Sequence, residues 1–197
     1  MELLKCESCG SNQLVLQPDN TYVCQHCGCT YTTDMKPKPV LSQAMKDAKV
    51  LEYCNKAQAC RQKNDTAGET AWLVKALEID DKNADVLNKL GRAYRESSSP
   101  YKAIECYLKA LEVDPNYAHA YTNLGLAYLT LGQYEKAKSY YEKGFSMIVV
   151  KDANYATALA NYGYLLCLMG KKREGLKTIK KAEKYGYKNG DKLRSML

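Results

Sequence analysis

Between residues 84 and 117 the apolar and small positions fall at Leu87, Leu90, Gly91 and Tyr94, then at Ala103, Tyr107 and Ala110, with Pro115 near the end. Spacings of three and four place each set on one stripe of a helix, so the segment predicts two amphipathic helices joined by a turn. The pattern then returns. Leu90-Gly91-x-x-Tyr94 becomes Leu124-Gly125-x-x-Tyr128, a shift of 34 residues, and the same shift carries Leu87 to Tyr121, Ala103 to Ala137 and Tyr107 to Tyr141. A period of this length marks one supersecondary unit stacked on copies of itself. The predicted fold is therefore mostly α, a solenoid of about four helix-turn-helix repeats.

The expected units are 50–83, 84–117, 118–151 and 156–189 within an array spanning 41–197. The outer two are weaker. The first aligns through Tyr53, Ala57, Cys60, Leu73 and Ala76, but places Glu69 where a small residue is expected, and its inner turn is predicted at Lys63–Gly68. The last holds Leu159, Tyr162-Gly163, Leu166, Gly170, Gly175, Ile179 and Ala182, and its Gly163 follows Gly125 by 38 residues. An extra helical turn, or a longer loop near Val150-Lys151-Asp152, would absorb the difference. Residues 191–197 read as a short cap over the last repeat, since terminal repeats face water.

The pattern before Val40 is different. Leu14-Val15-Leu16 and Tyr22-Val23 flank a turn around Pro18-Asp19-Asn20, which predicts a β-hairpin within a separate domain at 1–33. Asp34-Met35-Lys36-Pro37-Lys38-Pro39 then predicts an extended linker over 34–40, because alternating prolines remove backbone donors and disfavour helix.

Five of the nine cysteines lie in this first domain, four of them as Cys6-x-x-Cys9-Gly10 and Cys24-x-x-Cys27-Gly28. Two residues between the cysteines of a pair let both sulfurs face one ion, and the glycine after each pair suits a turn that requires positive φ. Four thiolates close a tetrahedral site with no open position, the geometry of a structural metal. The segment resembles a zinc ribbon over residues 5 to 32, and that resemblance implies Zn(II) bound by Cys6, Cys9, Cys24 and Cys27. Iron in a rubredoxin-like site is the rival, since thiolate suits both metals. His26 and Cys29 are expected to be spectators. A domain this short cannot bury enough apolar area alone, so the metal is expected to be required for its folding.

The repeat units are similar to the tetratricopeptide repeat, whose pattern is a large residue, Leu-Gly, Tyr, then Ala, Phe and Pro. Gly91 and Ala103 are small where paired helices cross, Tyr94 and Tyr107 fill the space beside them, and Pro115 separates units. Most of the 17 tyrosines are then core residues. Cys54, Cys60, Cys106 and Cys167 are expected to be small buried apolar groups. The resemblance implies a concave surface, lined by the first helix of each pair, that holds a peptide or helix. Carried over by register, its lining is Asn55, Gln58 and Arg61, then Asn88, Lys89, Arg92 and Arg95, then His119, Thr122, Asn123, Leu126 and Leu129, then Thr157, Asn161, Tyr164 and Leu168. Asn55, Asn123 and Asn161 share one register position, with Lys89 at that place in the second unit. A side-chain amide there suits tracking a peptide backbone. The lining is basic at one end and apolar at the other, so the expected partner is a protein or peptide with an acidic or phosphorylated part and an apolar part. The chaperone-tail clamp of this family is not expected, because Asn88, Arg92, Thr157 and Asn161 do not complete it around Asn123.

Charge adds one alternative. The net +7 resides in the last 27 residues, where ten basic side chains face three acidic ones, while residues 1–33 carry −2. Lys171, Lys172, Arg173, Lys177, Lys180, Lys181 and Lys184 form a phosphate-facing set if the partner is a nucleic acid. A ribbon of negative sign argues against that role for the first domain. No stretch reaches the roughly 18 apolar residues of a membrane span, and the N-terminus lacks a secretory leader pattern, so a cytoplasmic location and no membrane partner are expected. With two histidines far apart and no phosphate loop, dinucleotide fingerprint or nucleophile elbow, the chain is expected to be a non-enzymatic scaffold or adaptor.

Overall fold

The structure is a computed structural model that describes residues 3–6, 8–18, 21–32, 39–40 and 43–197. The chain divides into two compact units, Met1–Leu51 and Glu52–Leu197.

The described residues of the first unit form two small sheets. β1 (Leu3–Leu4) pairs antiparallel with β5 (Pro39–Val40), Leu3 opposite Val40. β2 (Leu14–Leu16), β3 (Thr21–Cys24) and β4 (Thr30–Thr32) form a three-stranded antiparallel sheet in chain order, with Val15 opposite Val23 and Tyr22 opposite Tyr31. The hairpin read from Leu14–Leu16 and Tyr22–Val23 is β2–β3; Asp19 and Asn20 of its turn lie outside the described residues. Residues 34–38 of the proline segment also lie outside them, and Pro39 and Val40, assigned to that segment from sequence, are strand β5. This sheet has little apolar core. Val15 and Leu16 are 45% and 52% exposed, whereas Cys6 and Cys24 are 1% exposed. Thiols, rather than aliphatic side chains, occupy the protected centre.

α1 (Gln43–Gln62) starts in the first unit and ends in the second. The second unit continues with α2 (Thr66–Ile79), α3 (Ala84–Glu96), α4 (Pro100–Val113), α5 (Ala118–Thr130), α6 (Tyr134–Met147), α7 (Ala153–Leu168), α8 (Lys172–Lys184) and α9 (Gly190–Ser195). No helix among the described residues is long and apolar enough to cross a membrane. Among the described residues three N-termini have side-chain caps, Asp65, Asn83 and Asp152 accepting from the amides of Gly68, Val86 and Tyr155. Because Asp65 caps α2, the first inner turn is shorter than the predicted Lys63–Gly68: α2 already begins at Thr66.

Each helix pair closes on a small residue. A Cβ at Gly91 would lie 2.6 Å from the Tyr107 ring, and one at Gly125 would lie 2.8 Å from the Tyr141 ring. Both rings are wholly buried. In the last pair Ile179 stands at the tyrosine position. The smaller side chain allows closer approach, and the residue equivalent to Ala103 and Ala137 is accordingly Gly175, where a Cβ would lie 2.3 Å from Cys167 Sγ and 2.5 Å from the Gly163 carbonyl oxygen.

The long step to Gly163 is divided between helix and loop. Gly91 and Gly125 are each the eighth residue of α3 and α5, while Gly163 is the eleventh residue of α7, so the helix begins one turn earlier. The remaining residue lengthens the α6–α7 connection, which exposes Val149 and Val150. α9 packs Leu193 against the cluster of Tyr155, Leu159, Ala160 and Ala182, as the capping expectation required. One expectation is corrected: only Cys106 of the four isolated cysteines is buried, and Cys54, Cys60 and Cys167 are half-buried. Positions beside a helix crossing do not all face its centre.

Candidate functional site

Two knuckles of the same build position the thiols of the first unit. The amide of Cys6 donates to the Ser11 carbonyl and that of Gly10 to the Cys6 carbonyl; the amide of Cys24 donates to the Cys29 carbonyl and that of Gly28 to the Cys24 carbonyl. Gly10 and Gly28 have φ of 77° and 75°, where a side chain is strained. The two turns bring Cys6, Cys9, Cys24 and Cys27 together, all four Sγ atoms lying within 4.8 Å of one another. Cys6 Sγ is 3.5 Å from Cys27 Sγ, and Cys9 Sγ is 3.5 Å from Cys24 Sγ. Tetrahedral zinc with bonds of about 2.3 Å separates its sulfurs by about 3.8 Å, so the donor set and its spacing fit Zn(II). Such a metal supplies cross-linking and no open coordination position. His26 is exposed and Cys29 half-buried, and neither belongs to the cluster.

Tyr31 was not legible as part of this centre. Its hydroxyl lies 3.0 Å from Cys6 Sγ and accepts from the Ser8 amide at 3.3 Å. The hydroxyl pulls the Cys6 thiol down to about 6. A hydrogen bond to a ligating sulfur orients it and disperses its charge.

In the second unit, α1, α3, α5 and α7 contribute to one concavity of about 460 Å³. Of the residues singled out from sequence, Lys89, Arg92, Arg95, Asn123, Leu126 and Asn161 line it, with Arg61, Asn88, His119, Thr122 and Thr157. Asn55 and Tyr164 do not. Asn55 is exposed, and Tyr164 packs against the cluster containing Leu129, Tyr141 and Leu165. Leu129 is itself a member of that core cluster, which narrows the apolar end of the groove to Leu126 and Ala158.

The basic end carries its own counter-charges. Glu69 is 2% exposed and accepts from Arg92 Nη2 at 2.8 Å. Glu96 Oε1 lies 3.5 Å from Arg95, 3.6 Å from Arg61 and 3.9 Å from Arg92. Lys89 pairs with Asp85 at 2.6 Å. Glu69 therefore departs from the small-residue pattern because it serves an ion-pair network. Burial pushes its carboxyl above the usual range, opposed by the nearby Arg61 charge. The repeated asparagine also has a local use: Asn123 Nδ2 donates to Asn88 Oδ1 at 2.8 Å, and Tyr117 donates to Asp85 at 3.0 Å, tying α3 to α5 and its preceding turn. Sequence register missed Asp85, Glu96, Tyr117, Tyr141, Asn154 and Ala158 as lining residues. Asn154 lies in the added first turn of α7, so the lengthened step extends the groove wall.

The basic residues of α8 lie elsewhere. Lys177, Lys180, Lys181 and Lys184 surround an open depression with Thr178 and Tyr185.

Comparison with known proteins follows the two units. The tetratricopeptide repeat family matches residues 83–148, and a family of zinc ribbon domains matches residues 1–33. No curated protein matches the chain. Among solved structures, a MamA protein is 26% identical with a TM-score of 0.56, covering 69% of this chain and 72% of its own. PilF of Pseudomonas aeruginosa is 23% identical with a TM-score of 0.65, covering 72% of this chain and 63% of its own. The first TPR of Spaghetti (RPAP3), solved bound to the HSP90 peptide SRMEEVD, is 19% identical with a TM-score of 0.57, covering 62% of this chain and 97% of its own. At these identities the last two resemblances concern the fold. The repeated helix pairs, the four-thiol cluster and the two family matches together show that the chain carries tetratricopeptide repeats over residues 83–148 and an N-terminal zinc ribbon over residues 1–33.

Proposed function

We propose that the chain is a non-enzymatic interaction scaffold that captures a peptide or helix in its concave groove, with the ribbon as a metal-stabilised accessory domain. The observation that carries this reading is the groove itself, with donors, acceptors and an apolar wall drawn from four successive first helices. Mixed polar and apolar linings suit a segment recognised by both backbone and side chains. The peptide-bound tetratricopeptide structure among the similar folds supports a protein or peptide partner. The partner would carry an acidic or phosphorylated part toward Arg61 and Arg95, and an apolar part toward Leu126 and Ala158.

Leu126→Asp combined with Asn161→Ala tests the groove by comparing captured partners with those of wild type. Arg92 is left intact because Glu69 depends on it. Loss of the captured set at unchanged Tm is the expected result; an identical set removes the groove from the mechanism.

A second reading, association with nucleic acid, draws on the lysines around the α8 depression. It requires binding that weakens steeply with salt.

A further inference from the structure

We propose that the helical unit adsorbs to acidic phospholipid surfaces, with Val149 and Val150 entering the bilayer interface and the lysines of α8 holding its headgroups. This surface shares no residue with the groove and goes beyond that reading.

The α6–α7 connection departs from its counterparts. The earlier connections between helix pairs read Asp80-Asp81-Lys82-Asn83 and Asp114-Pro115-Asn116-Tyr117, whereas this one reads Ile148-Val149-Val150-Lys151-Asp152. Ile148 packs against the cluster of Tyr155, Leu159, Ala160 and Ala182, so the fold uses that apolar side chain. Val149 and Val150 are 90% and 74% exposed. Turn residues are ordinarily polar or conformationally special because they face water, and a valine pair supplies neither property.

The charge beside this tip is of one sign. Lys151 Nζ stands 5.6 Å from the centroid of the Tyr185 ring, and Tyr185 borders the depression formed by Lys177, Lys180, Lys181 and Lys184. Those four follow one another at spacings of three, one and three residues, which sets them on one stripe of α8. Elsewhere in the array Lys56, Lys89, Lys109 and Lys138 each pair with an acidic side chain one turn away. None of the α8 four does so among the described residues. Glu183 of the same helix is held by Arg194 at 2.9 Å, and Glu174 acts on Tyr162. A stripe left without counter-charge attracts an anionic surface.

The two features together select the partner. A nucleic acid would satisfy the lysines and leave the valine pair in water. The Tyr185 ring is packed edge-on against Tyr155 at 5.2 Å with Lys151 over it, so it is not free to stack on a base. An acidic bilayer takes both features, with lysines at headgroup level and two branched apolar side chains just below. Contact of this kind needs neither a spanning segment nor a leader, whose lack set the sequence expectation of no membrane partner.

The whole chain is sedimented with vesicles of phosphatidylcholine alone, or of phosphatidylcholine and phosphatidylserine at about 3:1. Wild type should partition to the acidic vesicles, stay in solution with the neutral ones, and be released by salt. Lys180→Gln combined with Lys184→Gln should lower the partition about 25-fold, about fivefold per lysine. Val149→Ser combined with Val150→Ser should lower it about tenfold, at unchanged Tm because both side chains face solvent. No partition by wild type, equal partition to both vesicles, or undiminished partition by the valine variant overturns the proposal. A short DNA or RNA duplex bound more tightly than acidic vesicles, and equally by wild type and the valine variant, overturns it in favour of nucleic acid. Each of these results leaves the groove reading standing.

Discussion

Asp152 shows how one side chain converts sequence into a start signal. Its carboxylate accepts from the Tyr155 amide at 2.9 Å, and this bond, the largest cause, holds its pKa below the ordinary 3.8. A depressed carboxylate contributes stability that is complete above the unfolded value and is lost as pH falls through the folded one. Asp152→Ala should therefore cost about 1 kcal/mol at neutral pH. The gap to wild type should hold down to the ordinary carboxylate pKa of 3.8 and then close in more acid solution. Denaturation series across pH measure this; a gap that already closes at pH values well above 3.8 would assign the effect to another group. From sequence Asp152 belonged only to a longer loop near Val150-Lys151-Asp152, and its capping bond is a finding of the structure; Tyr31 was likewise not readable as a partner of Cys6. A tyrosine beside a metal knuckle has no sequence signature, because its reach to sulfur depends on the pairing of β3 with β4.

The inner turns repeat as faithfully as the helices. Asn64, Ser98, Gly132 and Gly170 are the left-handed residues of four successive turns, with φ of 57°, 58°, 70° and 81°. In every case the next residue's amide reaches back to the same helical level, as Ser99 does to Tyr94 and Gln133 to Tyr128. Two turns use glycine and two accept the strain of a side chain. Ser98→Gly should stabilise the array by about 0.5–1 kcal/mol, and Gly132→Ala should destabilise it by about 1 kcal/mol. Because no atom lies within 4 Å of a Cβ at Gly132, that pair of substitutions isolates the backbone contribution. Thermal melts of both variants test it, and equal Tm values for Gly132→Ala and wild type would refute it. At this level the helix pairs were largely legible, since Gly91, Gly125 and Gly163 mark each crossing. The division of the 38-residue step was not, because one more helical turn and a longer loop satisfy the same count.

The molecule as a whole combines two ways of holding a fold. The helical unit buries aromatic and aliphatic side chains between every pair, with Tyr107, Leu124, Tyr141, Leu165 and Ile179 at 0% exposure. The ribbon places thiols where a core would be, so its folding free energy is tied to metal binding. A chelator should strip one Zn(II) per chain and abolish the ribbon's amide-exchange protection while the far-UV helical signal persists. Metal assay, amide exchange and circular dichroism read the three quantities, and ribbon protection that survives complete metal loss would contradict the prediction. The two kinds of core were readable before any coordinates: a 34-residue period and doubled Cys-x-x-Cys spacing are local patterns, set by helix geometry and by the bite of two sulfurs on one ion. The groove's electrostatics were not. Arg92 and Glu69 are 23 residues apart, and Arg61 and Glu96 are 35 apart, so their pairing exists only once helices stack. Register along the chain names residues that face a groove; the neutralisation of its charges arises from contacts between helices that sequence spacing does not specify.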